Sequence, residues 1–270
     1  LVTQGSAYLY SHGFDGAPRD FALYTLSISY IRPQLAKEML KMIMQMTKRD
    51  SGQIMYSYQG HGILEDAVIH KTPSDLDLFF LMALDEYIAA TGDREFLNEK
   101  VSFYPKSDTS LPPHAHGETV RDHVTVALYH LIETVGLGEH KLVRVLDGDW
   151  NDAIVINAPD SANTIRNGES HPNTGMALYI LPKIQKQLKN ELSSQIHNDI
   201  DAFVQTISDS FKKEWLGKND PSKPFYPRGY FYDKGNKPIL SGSKEAHLES
   251  QVWPIIAGFF SESDNLKNLL

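Results

Sequence analysis

Hydrophobic side chains recur along most of this chain with the 3.6-residue period of an α-helix. The pattern predicts helices over about 33–48, 74–92, 119–135, 194–213 and 249–258, and another that begins near Asn173. The segment from Leu76 to Ile88 has almost no polar face, which is typical of a helix buried on all sides. Helix 194–213 has a narrow apolar stripe. Buried helices alternating with amphipathic ones predict an inner ring of helices wrapped by an outer one.

Capping residues predict where several of these helices begin and end. Ser74, followed three residues later by Asp77, has the spacing of a capping box, and Gly92 stands where a C-terminal cap belongs. Asn173 is expected to cap the fourth helix, and Pro182 is expected to kink or split it.

Strand signals are few. The best is the stretch 226–240, in which an aromatic run, the turn residues 233–236 and a second apolar run predict a β-hairpin. The final residues, 263–270, look like the first turns of a further helix. We therefore expect an all-α chain, residues 1–270, that forms a single domain and is a piece of a longer helical barrel, with a small hairpin near 226–240.

Charge and composition limit the partners. The 270 residues carry a formal net charge of −8 and no Lys/Arg-rich run, so we expect neither nucleic acid nor a membrane surface as a partner. The chain has no cysteine, which excludes disulfides and thiolate chemistry. It begins at Leu1 rather than Met, so the sequence indicates no compartment.

The loop 147–152 has the highest density of chemically useful side chains. It reads Asp147-Gly148-Asp149-Trp150-Asn151-Asp152 and follows an apolar segment. Cleavage of a glycosidic bond needs a carboxylic acid that protonates the leaving oxygen, and an indole offers a flat apolar face to a sugar ring. A solvated turn or a calcium loop is the alternative, although the usual calcium-loop Gly and terminal Glu are absent.

Three further groups of residues are candidates for substrate contact. Arg19 and Asp20 can anchor sugar hydroxyls or form an ordinary ion pair at a helix start. Asp75 precedes the most buried helix and can face a cleft. The last helix opens with a carboxylate, an amide and an indole, contributed by Glu249, Gln251 and Trp253.

No metal site is expected. The sequence contains eleven histidines, so the pairs His114/His116 and His61/His70 are better explained by chance proximity than by ligation. The sequence also lacks the His-Glu-x-x-His motif, a P-loop and the Gly-x-Ser-x-Gly elbow.

Several of these motifs together resemble one family. Asp149-Trp150-Asn151-Asp152 resembles the Asp-Trp-Asn-Asp motif of the cellobiose and chitobiose phosphorylases, glycoside hydrolase family 94. The segments 74–97, 168–170, 228–235 and 248–258 are similar to that family's segments in the same order and at similar spacing.

The resemblance implies an (α/α)6 toroid of the six-hairpin glycosidase type, acting on β-linked disaccharides or oligosaccharides. It implies that Asp152 is the general acid and that Trp150 lines the sugar site, with Arg19 and Asp20 as upstream substrate contacts. This sequence departs from the family's pattern at two places that bear on the use of phosphate. The family's Asn-Pro-Gln is here Glu249-Ser250-Gln251, and its downstream Thr-Gly-Ser segment is absent.

The sequence therefore predicts an inverting carbohydrate-active enzyme that uses inorganic phosphate as co-substrate and no cofactor. We expect Asp152 as the acid, with substrate contacts from Arg19, Asp20, Asp75, Asp149, Trp150, Asn151, Gln251 and Trp253. An inverting hydrolase with Glu249 as its base is the first alternative, and a non-catalytic carbohydrate-binding toroid is the second. The partner is an oligosaccharide, a homodimer is compatible with the sequence, and a phosphorylase would favour a cytoplasmic location.

Overall fold

The structure is a computed structural model that describes residues 17–59, 65, 66 and 70–259. Their backbone is mainly helical and includes two small antiparallel sheets. The chain divides into two compact units. One runs to Thr134 and includes Lys186–Leu192, and the other comprises Val135–Gln185 and the chain from Ser193 onward. The predicted helix at 263–270 lies outside the described residues.

The first unit is built around a buried helix. Its helices are α1 (Pro18–Ile31), α2 (Pro33–Gln45), α3 (Leu76–Thr91) and α4 (Val120–Tyr129). Its other regular elements are the paired strands β1 (Tyr58–Gln59) and β2 (Glu65–Asp66), the 3-10 turn Glu95–Asn98, and most of the π-helical turn His130–Val135 after α4.

Helix α3 confirms the expectation drawn from its apolar sequence. Twelve of its 16 residues are buried, so it has no continuous exposed side. The helix ends at Gly92, whose φ of 70° is left-handed and favours glycine. The Gly92 N–H donates to the carbonyl of Ile88 and satisfies one of the last helical acceptors.

The second unit combines helices with a three-stranded sheet. Its helices are α5 (Ala153–Ile156), α6 (Ser161–Asn167), most of α7 (His171–Gln187), α8 (Ser194–Phe211) and α9 (Leu248–Ile256). The antiparallel sheet has the order β3 (Glu169–Ser170), β4 (Gly229–Tyr232) and β5 (Pro238–Ser241). A 3-10 turn covers Leu216–Lys218.

The hairpin prediction is confirmed by β4 and β5, which pair in register from Gly229↔Ser241 to Tyr232↔Pro238. The third strand, β3, was not predicted. It is two residues long, which is too short to show an alternating pattern of polar and apolar residues. Its partner strand β4 is distant in sequence, and Glu169 pairs there with Tyr230.

Two predicted helix starts are wrong. Ser74 makes no capping box, because the residue that precedes α3 is Asp75, and its side chain makes no cap hydrogen bond. Helix α7 begins at His171 rather than after Asn173, and it continues through Pro182. The reason is that Ser170 Oγ accepts the N–H of Asn173 at 3.2 Å, so the serine satisfies the helix start.

The predicted third helix ends as α-helix at Tyr129 and continues as a π-helical turn to Val135. Thr119 and Asp122 form the capping box at its start. None of the described helices has both the length and the apolar character needed to span a membrane.

Candidate active site

The loop 147–152 folds around the carboxylate of Asp149, which is fully buried. Asp149 Oδ1 accepts the backbone N–H of Asn151 at 3.1 Å, so the side chain stabilises the turn that contains it. Trp150 between them is 49% exposed. The turn therefore buries one carboxylate and leaves the indole accessible to a ligand.

Arg228 is the residue that ties this loop to the last helix. Its Nη2 donates to Asp149 Oδ1 at 2.5 Å, and its Nε donates to Glu249 Oε1 at 3.0 Å. The side chains of Arg228 and Asp149 are both 0% exposed, whereas that of Glu249 is 24% exposed. The two acidic residues that the sequence placed in separate motifs thus share one cation.

The charge of Arg228 is secured by its partners. Burial opposes the cationic form, but the carboxylates of Asp149 and Glu249 outweigh burial and raise the pKa of Arg228 above its ordinary value. The three groups together carry one net negative charge. A buried charge is tolerable only when it is paired in this way, and removing one partner leaves the other uncompensated.

The second oxygen of Asp149 is held from the opposite side. Ser170 Oγ donates to Asp149 Oδ2 at 2.7 Å and accepts the N–H of Asn173. Ser170 belongs to β3, which pairs with β4 directly after Arg228. The three-stranded sheet and the start of α7 therefore hold the loop in place through Ser170.

The neighbouring residue, Glu169, is fully buried and supports the segment before the loop. Its carboxylate accepts the backbone N–H groups of His140 and Leu142 and also contacts His140 Nδ1. A side chain at Gly138 would lie 2.4 Å from Glu169 Cγ, so this close approach requires glycine. Glu169 is consequently a structural carboxylate.

A further carboxylate, that of the half-buried Glu214, contacts strand β4 and the start of α7. Glu214 accepts hydrogen bonds from His171 Nε2 at 3.2 Å and from the hydroxyl of Tyr230 at 2.9 Å. Burial opposes its charge, but these hydrogen bonds prevail and lower the pKa of Glu214. The same surroundings have the opposite effect on the imidazole, where burial dominates and lowers the pKa of His171.

Asp152 occupies a different environment from Asp149. It is half-buried and stands immediately before the short helix α5. Its side chain makes no cap hydrogen bond to that helix. Asp149 lies three residues before Asp152, and Arg228 and Ser170 hold its side chain in place. These contacts restrict the backbone of the loop that carries Asp152.

The other residues predicted on the last helix have distinct surroundings. Gln251 is 3% exposed, and its amide exchanges hydrogen bonds with the backbone of Tyr226, at 2.9 Å to the N–H and 2.8 Å to the carbonyl. Trp253 packs near Tyr179, with ring centroids 6.2 Å apart. Substrate contacts by Gln251 and Trp253 stay predictions, and the amide of Gln251 has a structural task.

The remaining predicted residues belong to the first unit. Arg19 Nη2 donates to Asp75 Oδ1 at 3.0 Å in a buried ion pair, and the guanidinium lies 5.4 Å from the centroid of the Tyr56 ring. Asp20 is half-buried in the first turn of α1. The Asp77 carboxylate lies 2.6 Å from His130 Nδ1 and does not take the predicted capping role. The sequence named Arg19 and Asp75 separately and did not foresee their pairing.

Arg228 is the functional candidate that the sequence reasoning missed. It appeared only as the first residue of a family-like hairpin segment. An arginine directly before a buried aromatic strand was a usable signal, because a fully buried guanidinium requires carboxylate partners. No group of three or more metal-ligating side chains occurs within the described ranges.

Comparison with known proteins gives a family and a fold. The family model of the glycosyl hydrolase 94 superfamily, catalytic domain, matches residues 2–269. Solabiose phosphorylase from Paenibacillus borealis is 26% identical over 236 residues, which cover 86% of this chain and 27% of that enzyme. The chain therefore spans about a quarter of the length of this relative.

Two solved structures share the fold. Cellobiose 2-epimerase from Bacillus thermoamylovorans B4167 has a TM-score of 0.52 at 11% identity, covering 83% of this chain and 50% of its own. A rhamnosidase from Klebsiella oxytoca with rhamnose bound has a TM-score of 0.54 at 16% identity, covering 94% of this chain and 41% of its own. These likenesses confirm the predicted (α/α)6 toroid fold class.

Proposed function

The chain belongs to the glycosyl hydrolase 94 superfamily, and from this premise we propose that the complete protein cleaves β-glycosidic bonds of oligosaccharides by phosphorolysis. The reaction inverts the configuration at the sugar carbon and yields an α-sugar 1-phosphate. The extent of the family match, residues 2–269, also supports our proposal that both units belong to one catalytic domain. In this reaction phosphate is a co-substrate that is consumed, and the proposed mechanism uses no resident cofactor.

Asp152 is the proposed general acid. It donates its proton to the glycosidic oxygen as the bond to the sugar carbon breaks, and the leaving sugar departs as a neutral alcohol. Asp152 is half-buried and lies two residues after Trp150, whose indole is exposed. This suits the role, because the indole can border the sugar ring while the carboxyl faces the bond. Asp149 orients the loop through its bonds to Arg228 and Asn151.

The observation that carries the choice of phosphate is the ion pair between Glu249 and Arg228. A hydrolase would need Glu249 to act as a base that removes a proton from water. Glu249 Oε1 instead accepts a hydrogen bond from the Arg228 guanidinium at 3.0 Å, so this oxygen is already occupied by a cation rather than by water. Phosphate is already an anionic nucleophile and needs no base. The same cation reduces the repulsion that an unpaired Glu249 would exert on phosphate.

The remaining predicted residues are proposed as substrate contacts. Arg19, Asp20 and Asp75 would hydrogen-bond sugar hydroxyls, while Asn151 and Trp253 would border the bound sugar. Gln251 would contribute through the segment it holds at Tyr226. The Arg19–Asp75 pair suits such a role because each partner fixes the rotamer of the other.

An inverting hydrolase is the second candidate, and one feature favours it. Glu249 is 24% exposed, and among the described residues only its Oε1 has partners, so its Oε2 is open to water. The two reactions are separated by incubating the complete protein with β-linked disaccharides, with and without phosphate. Phosphorolysis requires phosphate and forms a sugar 1-phosphate, which chromatography detects. Equal release of free sugar without phosphate would contradict the proposal.

A further inference from the structure

A polar cavity of about 630 Å³ opens in the second unit, and no residue of the loop 147–152 is among the residues that line it. We call it the arginine cavity, because Arg144 and Arg166 both line it together with Tyr232, Asn167 and Asn236. Its size is that of a typical small-ligand site. Tyr232 ends strand β4, whereas Arg228 precedes that strand. The cavity residue Tyr232 is therefore about four residues, or roughly 13 Å of extended backbone, from the Arg228 that binds Asp149 and Glu249.

Neither of the two guanidinium groups forms an ion pair with a carboxylate among the residues that the structure describes. Arg144 Nη2 donates to the backbone carbonyl of Arg166 at 2.7 Å, and the Arg166 guanidinium has no hydrogen-bond partner in the described part of the chain. Glu139 also lines the cavity but forms no ion pair with either. Four other arginines of the described chain are paired with carboxylates, namely Arg19, Arg49, Arg94 and Arg228. The cavity therefore keeps an excess of positive charge in an acidic chain.

Neutral donors stand beside these cations. Tyr232 is only 5% exposed, yet its hydroxyl has no hydrogen-bond partner within the ranges that the structure describes. Burial, with Glu139 and Glu169 nearby, raises the pKa of Tyr232, so the phenol stays protonated and can donate. Asn236 Oδ1 accepts from Asn163 Nδ2 at 2.5 Å, which leaves the Asn236 amide N–H groups available.

We propose that the arginine cavity is a second, non-catalytic site for a phosphate group, most favourably the phosphate of a sugar phosphate. Guanidinium groups bind phosphate through charge-assisted hydrogen bonds, and phenol and carboxamide groups bind sugar hydroxyls. The sugar phosphate as ligand rests on the proposed function, because phosphorolysis produces such a molecule. The phosphate group itself does not depend on that function.

The site is tested by counting the equivalents of glucose 1-phosphate that the complete protein binds, using isothermal titration calorimetry. Two equivalents are expected for the wild-type protein, and one for Arg166→Gln. Arg166 suits the test because its guanidinium makes no hydrogen bond to any residue that the structure describes. Tyr232→Phe removes one hydroxyl and should weaken the second site by about two- to tenfold, the range of a single neutral hydrogen bond.

Matched controls separate this site from the catalytic one. Arg121→Gln changes an exposed arginine that does not line the cavity and donates to Asn98, and it should retain both equivalents. Asp152→Asn should also retain both, while losing turnover. Inorganic phosphate and a neutral disaccharide are titrated in parallel. Filling of the second site by inorganic phosphate supports a phosphate site, and a gain in affinity with the sugar phosphate supports sugar contacts.

Two results would overturn the proposal. One is a single equivalent of both phosphate and glucose 1-phosphate in the wild-type protein, and the other is two equivalents that persist unchanged in a folded Arg166→Gln and in Tyr232→Phe. Product analysis is scored separately. If the enzyme proves to be a hydrolase but Arg166→Gln still loses a bound phosphate, the proposed function fails and the phosphate site stands.

Discussion

Arg228 Nη2 lies 2.5 Å from Asp149 Oδ1, and neither side chain is exposed to solvent. The pair connects the start of strand β4 to the loop that presents Asp152, and Arg228 Nε extends the connection to Glu249 on α9. A guanidinium has the fixed geometry to bridge two carboxylates, whereas an ammonium group would act as a point charge. This geometry makes Arg228 a positioning residue for the candidate active site.

The first prediction is that Arg228→Gln lowers the free energy of unfolding by about 3–5 kcal/mol, the usual cost of leaving one buried charge unpaired. The reason is that the buried Asp149 carboxylate would lose the cation that pairs with it. The double variant Arg228→Gln/Asp149→Asn should recover part of the loss, because no buried charge remains unpaired. Denaturant unfolding followed by circular dichroism measures both values.

The exposed variant Arg121→Gln is the control for this experiment and should change stability by less than about 1 kcal/mol. If Arg228→Gln were as stable as the wild type, the ion pair would not hold the loop. A double variant no more stable than Arg228→Gln would contradict the charge argument as well.

The second prediction concerns the proposed acid. Asp152→Asn keeps the shape of the side chain but removes the proton, so kcat should fall by about 10²–10⁴-fold, while the Kd for the sugar stays close to that of the wild type. Asp220→Asn changes an exposed aspartate that bonds to Ser222 in a turn, and it should leave kcat unchanged. Full turnover in Asp152→Asn would remove this residue from the mechanism.

The third prediction is a pH dependence of stability. His123 is buried against Phe103, and its Nε2 lies 2.9 Å from the carbonyl of Val101. Burial lowers the pKa of His123 to about 4. In the unfolded chain the same group titrates near pH 6.5, so the unfolded state binds the proton first as the pH falls.

His123 therefore contributes stability above about pH 6.5 that is lost as the pH falls towards 4, with a slope approaching 1.4 kcal/mol per pH unit. His123→Gln can still donate to Val101 and does not titrate, so its unfolding free energy should fall less steeply over this window. His116→Gln, at an exposed histidine, should keep the wild-type slope. Parallel slopes for all three proteins would show that His123 is not the group responsible.

The helices were predictable where a repeating pattern spans several turns. The apolar residues of α3 and the terminating Gly92 define that element from the sequence alone. The start of α7 was not predictable, because it depends on Ser170 being fixed by Asp149, which lies 21 residues earlier. Strand β3 is likewise visible only through its pairing with β4.

The candidate site follows the same division. The loop 147–152 was recognised from its local density of carboxylates and its Trp150. The sequence could not show that Asp149 and Glu249 share Arg228, because the three residues come from separate elements and meet only on folding. Nor could it show that Gln251 is bound to the backbone of Tyr226. The local composition predicted which loop is the candidate site, and the tertiary contacts distinguish the buried Asp149 from the more accessible Asp152 and Glu249.

The last prediction separates the roles of Glu249. Glu249→Gln retains an Oε1 that can accept the Arg228 Nε–H but removes the negative charge and any capacity to act as a base. If phosphate is the nucleophile, phosphate-dependent turnover should stay within about tenfold of the wild type, and the KM for phosphate should fall because one repulsive charge is lost. If water is the nucleophile, the variant should lose the base and its turnover, by about 10²-fold or more. Glu245→Gln, an exposed carboxylate four residues earlier, is the matched control and should leave both the rate and the KM unchanged. Release of reducing sugar at the same rate without phosphate, abolished by Glu249→Gln but not by Glu245→Gln, would establish Glu249 as the base of an inverting hydrolase.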